Sequence, residues 1–171
     1  MSERVFEREV CGDVGRTAVG AAELAAFGGT DIDEERPLKE LAGRARSLVE
    51  GSWWRTAGGP DVVVTASRVD ARSSRAVASA RGADGAVLIR LAPGQRDVAT
   101  LAHELAHALA GVDHGHGGRF RIAAIDVLAA LAGAAHGETL AASFSAFQLA
   151  VAERPWPPPE GPAGDTFVMG C

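Results

Sequence analysis

A chain of 171 residues has room for one domain with a full core and is too short for two ordinary ones. Hydrophobic residues at 47% and charged residues at 23% exclude a globally disordered chain. The formal net charge of −5 argues against a dedicated nucleic-acid binder, so nucleic acid is not expected as a partner.

In chain order, residues 1–10 alternate weakly (Val5, Phe6 and Val10 among charges) and are expected to add an edge strand. The Gly- and Ala-rich stretch from Cys11 to Thr30 reads either as a helix around Ala18–Ala26 or as a loop. Asp31 or Asp33 is a candidate N-cap for a helix with Glu34, Glu35 and Pro37 in its first turn. Leu38, Leu41, Ala45, Leu48 and Val49 then recur at helical spacing up to Gly51, and Trp53-Trp54 reads as a packing pair. Asp61–Ser67 is a β-branched run and Arg75–Ala80 alternates. Ala86–Leu91 is the expected hairpin partner of the second strand, across a turn at Arg81–Gly85. The arginines between Arg68 and Arg96 alternate with apolar residues, as the solvated side of a sheet does.

Asp97 or Thr100 can cap a helix that runs to Gly111 with Val98, Leu101, Leu105 and Leu109 as its apolar stripe. A second stripe (Phe120, Ala124, Val127, Leu128, Leu131) ends at Gly133. A third (Leu140, Phe144, Phe147, Val151) begins near Gly137. His136, at the junction, is expected to cap a helix or face solvent. The apolar run Ile122–Ala135 is interrupted by Asp126 and falls short of the roughly 20 residues that span a bilayer. The N-terminus carries no secretory signal, and the two cysteines, Cys11 and Cys171, form no CxxC; a reducing cytoplasm is the expected compartment. From Arg154 the tail is rich in Pro and Gly and is expected to be disordered, leaving residues 1–153 as a single domain. The expected class is α+β, with a short, mostly antiparallel sheet packed beside the Asp97–Gly111 helix and two further C-terminal helices.

The chemistry concentrates between Thr100 and Phe120, TLAHELAHALAGVDHGHGGRF, which holds four of the five histidines. His103 and His107 stand one helical turn apart, on a face opposite the apolar stripe. Two imidazoles so placed can close on one zinc ion, with Glu104 beside them as a general base. A catalytic zinc needs a third protein ligand, and Asp113, His114 and His116 all qualify chemically. His114 follows at a spacing one residue longer than in the metzincins and in the bacterial endoribonuclease that matures ribosomal RNA. His116 opens an H-G-x-x-F run in which Phe120 can anchor a new helix, so the two spacings compete for the third ligand. Asp113 is then a candidate acceptor orienting a ligand imidazole, or a solvated loop carboxylate.

This pairing of HELAH with a downstream HGxxF resembles the SprT-like, minimal zincin metallopeptidases. The layout of residues 3–153 is also similar to a family of small metallohydrolases common in actinobacteria and their phages. The resemblance implies a zincin-like fold and one zinc ion per chain held by His103, His107 and His116. Zinc-bound water, activated by Glu104, would then attack an amide carbonyl of a peptide or protein substrate. Gly118-Arg119 departs from the Pro-Glu that family members often carry, and the chain has no tyrosine to serve as ligand or oxyanion donor. Arg119 is a candidate donor or a solvent-facing arginine, and by analogy with other zincins Ala86–Leu91 could bind an extended peptide along its edge. The alternatives are a metal-dependent endoribonuclease using His103, His107 and His114, and a non-catalytic, zinc-stabilised binding module.

Overall fold

Helix α4 (Val98–Ala110) is the element on which the others pack. Val98, Leu101, Leu105 and Leu109 are all buried, as their spacing requires. The small alanines 102, 106, 108 and 110 let neighbours close in on the flanks as well and, with Glu104, bring the buried residues to nine of the thirteen. The computed structural model describes residues 3–78 and 85–160, with side chains from residue 15 onward within those spans. The proposed turn at Arg81–Gly85 falls, but for Gly85, outside the described residues, as do the side chain of Cys11 and residues 161–171.

Asp97 caps α4: its carboxylate accepts from the Thr100 N–H at 2.6 Å and from the Thr100 hydroxyl at 3.0 Å. Gly111 ends the helix at φ +105°, a conformation that favours glycine, and its N–H returns to the His107 carbonyl. Helices α5 (Gly118–Ala132) and α6 (Ala134–Ala146) follow. A Cβ at Gly137 would stand 2.8 Å from Ala129 Cβ and 2.9 Å from the Ile125 carbonyl, so that glycine permits the close α5–α6 approach.

The sheet is β1 (Val62–Ala66), β2 (Arg75–Ala78) and β3 (Val87–Leu91), in the order β1-β3-β2. The β2–β3 pair is antiparallel, with Arg75 opposite Arg90, as the hairpin reading requires. The β1–β3 pair is parallel, with Val62 opposite Val87, so the sheet is mixed rather than mostly antiparallel. Periodicity reports which face of a strand is buried but not its direction, and the direction was the part in error. Within β3, Val87, Ile89 and Leu91 are buried while Arg90 is exposed. Because β3 is central, it offers no free edge for an extended peptide; β2 is the edge strand beside α4.

Three further expectations are corrected. Residues 3–10 belong to helix α1 (Glu3–Phe27), not to a strand. Their alternation is broken by the adjacent Val5 and Phe6, and a helix nucleated in the Ala-rich stretch propagates at little cost per residue. Asp31 and Asp33 form a single 3-10 turn, and α2 (Leu38–Glu50) starts only after Pro37, because the residue before a proline is driven out of helical geometry. The segment from Arg154 to Glu160 is docked rather than disordered. Asp126, 2% exposed, accepts two hydrogen bonds from the Arg154 guanidinium (2.7 and 2.9 Å) and one from Trp156 Nε1 (2.9 Å).

The tryptophans pack as expected. Trp54, in the short helix α3 (Ser52–Thr56), is buried and donates to the Pro60 carbonyl, and Trp53 donates to that of Pro157. The resulting class is α+β. No helix among the described residues is long and apolar enough to cross a membrane.

Truncating Arg154 to alanine strands a buried carboxylate. Because the guanidinium is partly exposed, the expected loss is about 1–3 kcal/mol. Urea denaturation should show a lower midpoint with an unchanged slope. An unchanged midpoint would remove the Arg154–Asp126 pair from the fold's stability.

Candidate metal centre

Helical spacing puts His103 and His107 on one side of α4, and the turn after Gly111 brings His116 back to them. The Nε2 atom of His116 lies 3.2 Å from that of His107 and 3.2 Å from that of His103. Phe120, two residues into the new helix and fully buried, packs against all three rings with centroid separations of 4.9, 4.4 and 4.8 Å.

These nitrogen separations test whether a metal fits. Tetrahedral bonds of roughly 2.0–2.1 Å put ligand nitrogens roughly 3.3–3.4 Å apart, close to the observed 3.2 Å. The tautomers agree. His103 Nδ1 lies 2.8 and 3.0 Å from the Glu23 carboxylate oxygens, which only accept hydrogen bonds, so Nδ1 carries the hydrogen and Nε2 presents its lone pair. With the Nε2 atoms of His107 and His116 likewise deprotonated, three lone pairs converge on the point that a cation would take. The donor set fits a divalent ion, and among the described residues no other group of three His, Cys, Asp or Glu side chains could hold one.

Electrostatics separate the three imidazoles. Burial alone would depress the proton affinity of His103, but the charge and hydrogen bond of Glu23 outweigh it and the net shift is upward. His107 is pushed down to about 3 by burial and then by its His103 and His116 neighbours. His116 is pushed down to about 4 by burial and then chiefly by His103. Two of the three are thus poised as neutral donors. Glu104 is buried, which raises its proton affinity against the opposing charge of His103 and a hydrogen bond from the Ala76 N–H of β2. Its Oε2 atom is buried with no protein partner, as is His107 Nδ1.

His114 and Asp113 are not brought to this cluster. Both are exposed, and the His114 ring packs on Gly111, where a Cβ would stand 2.5 Å from its Cδ2. Arg119 is committed elsewhere: it donates to the Ala110 carbonyl and stacks over Trp156. His136 lies in the first turn of α6 with its ring 6.2 Å from that of Phe27. Sequence reading missed Glu23, eighty residues before its partner in a stretch with no metal-site spacing, and the Ala76 N–H, since no side chain announces a backbone donor.

No protein-family model, no curated protein and no solved structure matches this chain.

Two outcomes follow for metal binding. The chain purified without added metal should carry one divalent ion by elemental analysis, lost in His116→Ala and kept in His114→Ala; the reverse pattern would transfer the third ligand to His114. Glu23→Gln should weaken the metal by roughly 10- to 100-fold in a chelator competition while leaving the circular dichroism spectrum unchanged. Equal affinity would reduce the Glu23–His103 contact to packing.

Proposed function

We propose that the chain is a zinc-dependent hydrolase, most plainly a metallopeptidase, with a zincin-like arrangement of its HExxH helix beside the sheet. The observation that carries this reading is a buried carboxylate oxygen without a protein partner, on Glu104, lining the same cavity as His103 and His116. Burying such an oxygen costs free energy that a purely structural metal site has no reason to spend, which counts against a non-catalytic zinc module. The endoribonuclease alternative needs His114, and its exposed position on Gly111 gives that set no support.

A zinc ion held by three imidazoles supplies Lewis-acid polarisation of a carbonyl and acidifies water. The chain's own residues do the rest. Glu23 fixes the His103 ring with its Nε2 lone pair turned inward. The Ala76 N–H pins the Glu104 carboxylate and leaves Oε2 free to receive a proton from the attacking water. Burial raises the proton affinity of Glu104, which makes it a better base and then a competent acid toward the departing amine. Phe120 walls the imidazoles off from water on their core side.

Glu104→Gln keeps the shape and the Ala76 contact but removes the base. It should retain metal and fold while hydrolysis of a fluorogenic peptide library falls by at least about 100-fold. Unchanged hydrolysis would take Glu104 out of the mechanism.

A further inference from the structure

The cavity over the metal centre has a volume of about 420 Å³, within the range of small-ligand sites. One wall is α1, where Arg16, Gly20, Glu23, Leu24 and Phe27 recur on one helical face. Each carboxylate lining the cavity among the described residues has at least one partner: Glu23 with His103, Asp33 with the Gly29 N–H, Asp97 with Thr100, and Glu104 with the Ala76 N–H, its Oε2 atom remaining without one. Arg16 is, among the described residues, the only lysine or arginine lining the cavity. Among the described residues it has no hydrogen-bond or ion-pair partner. Its charge acts on His103, Glu104, His107 and His116 alike, which sets it within electrostatic reach of the whole centre. The turn before it packs on the third ligand, since a Cβ at Gly15 would stand 3.9 Å from His116 Cβ.

Arg16 is exposed at this cavity and unpaired among the described residues, so its guanidinium is free to meet an anion from outside. The planar fork of arginine matches a carboxylate with two parallel hydrogen bonds. A single arginine among several carboxylates suits a singly charged group better than a dianion such as phosphate. We propose that Arg16 recognises a carboxylate on the substrate, so that the site acts on peptides carrying a free carboxylate near the scissile bond. This rests on the hydrolase reading. The carboxylate belongs either to a peptide C-terminus or to an acidic side chain, and both present the same chemistry to Arg16.

The test uses peptidyl hydroxamates, which chelate a metal directly, titrated by calorimetry into the zinc-loaded full chain. Three probes differ only in their far end: a free C-terminal carboxylate, the corresponding amide, and the amide with an aspartyl side chain. One carboxylate probe should bind on the order of 10- to 100-fold tighter than the neutral amide, and which one identifies the source. In Arg16→Gln the three affinities should converge to within about twofold, and Arg16→Lys should keep part of the preference. Gly20→Leu, whose new side chain meets no atom within 4 Å of its Cβ and enters the cavity, should weaken all three. Equal affinities in the wild type, a preference that survives Arg16→Gln, indifference to Gly20→Leu, or no binding of any probe would each overturn the proposal. Those failures stay distinct from that of the hydrolase reading, which is judged by zinc content and by Glu104-dependent hydrolysis.

Discussion

The His116 imidazole nitrogen is held 3.2 Å from those of both His103 and His107, and much of the fold serves to enforce that convergence. Two of the three are set by one helical turn. The third depends on a reversal that Gly111, at φ +105°, and Gly115, at φ +60°, allow in so few residues. Phe120 then fixes the rings from below, because an aromatic residue with no exposure cannot move without opening a void in the core. A divalent ion bound to these nitrogens would tie the centre's stability to its occupancy.

The two carboxylates flanking His103 have opposite roles, set by what they touch. Both oxygens of Glu23 face the same imidazole nitrogen, so its charge is spent on holding a ring. Glu104 gives one oxygen to a backbone N–H of the edge strand and leaves the other unmet. The sheet therefore contributes to the centre through its edge: β2 lies where its free backbone donors face α4, and one of them positions a carboxylate. Helix α1 supplies the remaining wall, so the cavity is built from elements at both ends of the described chain.

What could be read from the sequence followed from what acts locally. The α4 boundaries, its stop at Gly111, the burial of its stripe and a cap at one of two candidates, Asp97 or Thr100, were legible, because capping and periodicity are short-range signals. The α+β class and the antiparallel β2–β3 pair were legible for the same reason. The direction of β1 was not, since five β-branched and small residues pack equally well either way round. Nor was α1, whose evenly spread alanines and glycines give almost no amphipathic signal, so Glu23 and Arg16 stayed hidden with it. The gathering of His103, His107 and His116 rested on the H-G-x-x-F run, where Phe120 reports a helix anchored in the core. The contacts that complete the centre are long-range and left no trace in local spacing.

The docked C-terminal segment shows how the third histidine is kept in register. Arg121 donates from Nε to the His116 carbonyl and from the same guanidinium to the Ala150 carbonyl. The Ala152 N–H bonds to the Gly118 carbonyl, one helical position before Arg119 reaches the Ala110 carbonyl at the end of α4. The loop carrying His116 is thus tied on one side to α4 and on the other to residues 150–152. Those residues are held in turn by the Arg154 and Trp156 bonds to Asp126. Loops without such ties open at low free energy and would let His116 swing away from the other two nitrogens. A segment whose composition suggests disorder therefore acts as a brace, because one buried aspartate supplies the partner that proline-rich chain cannot find within itself.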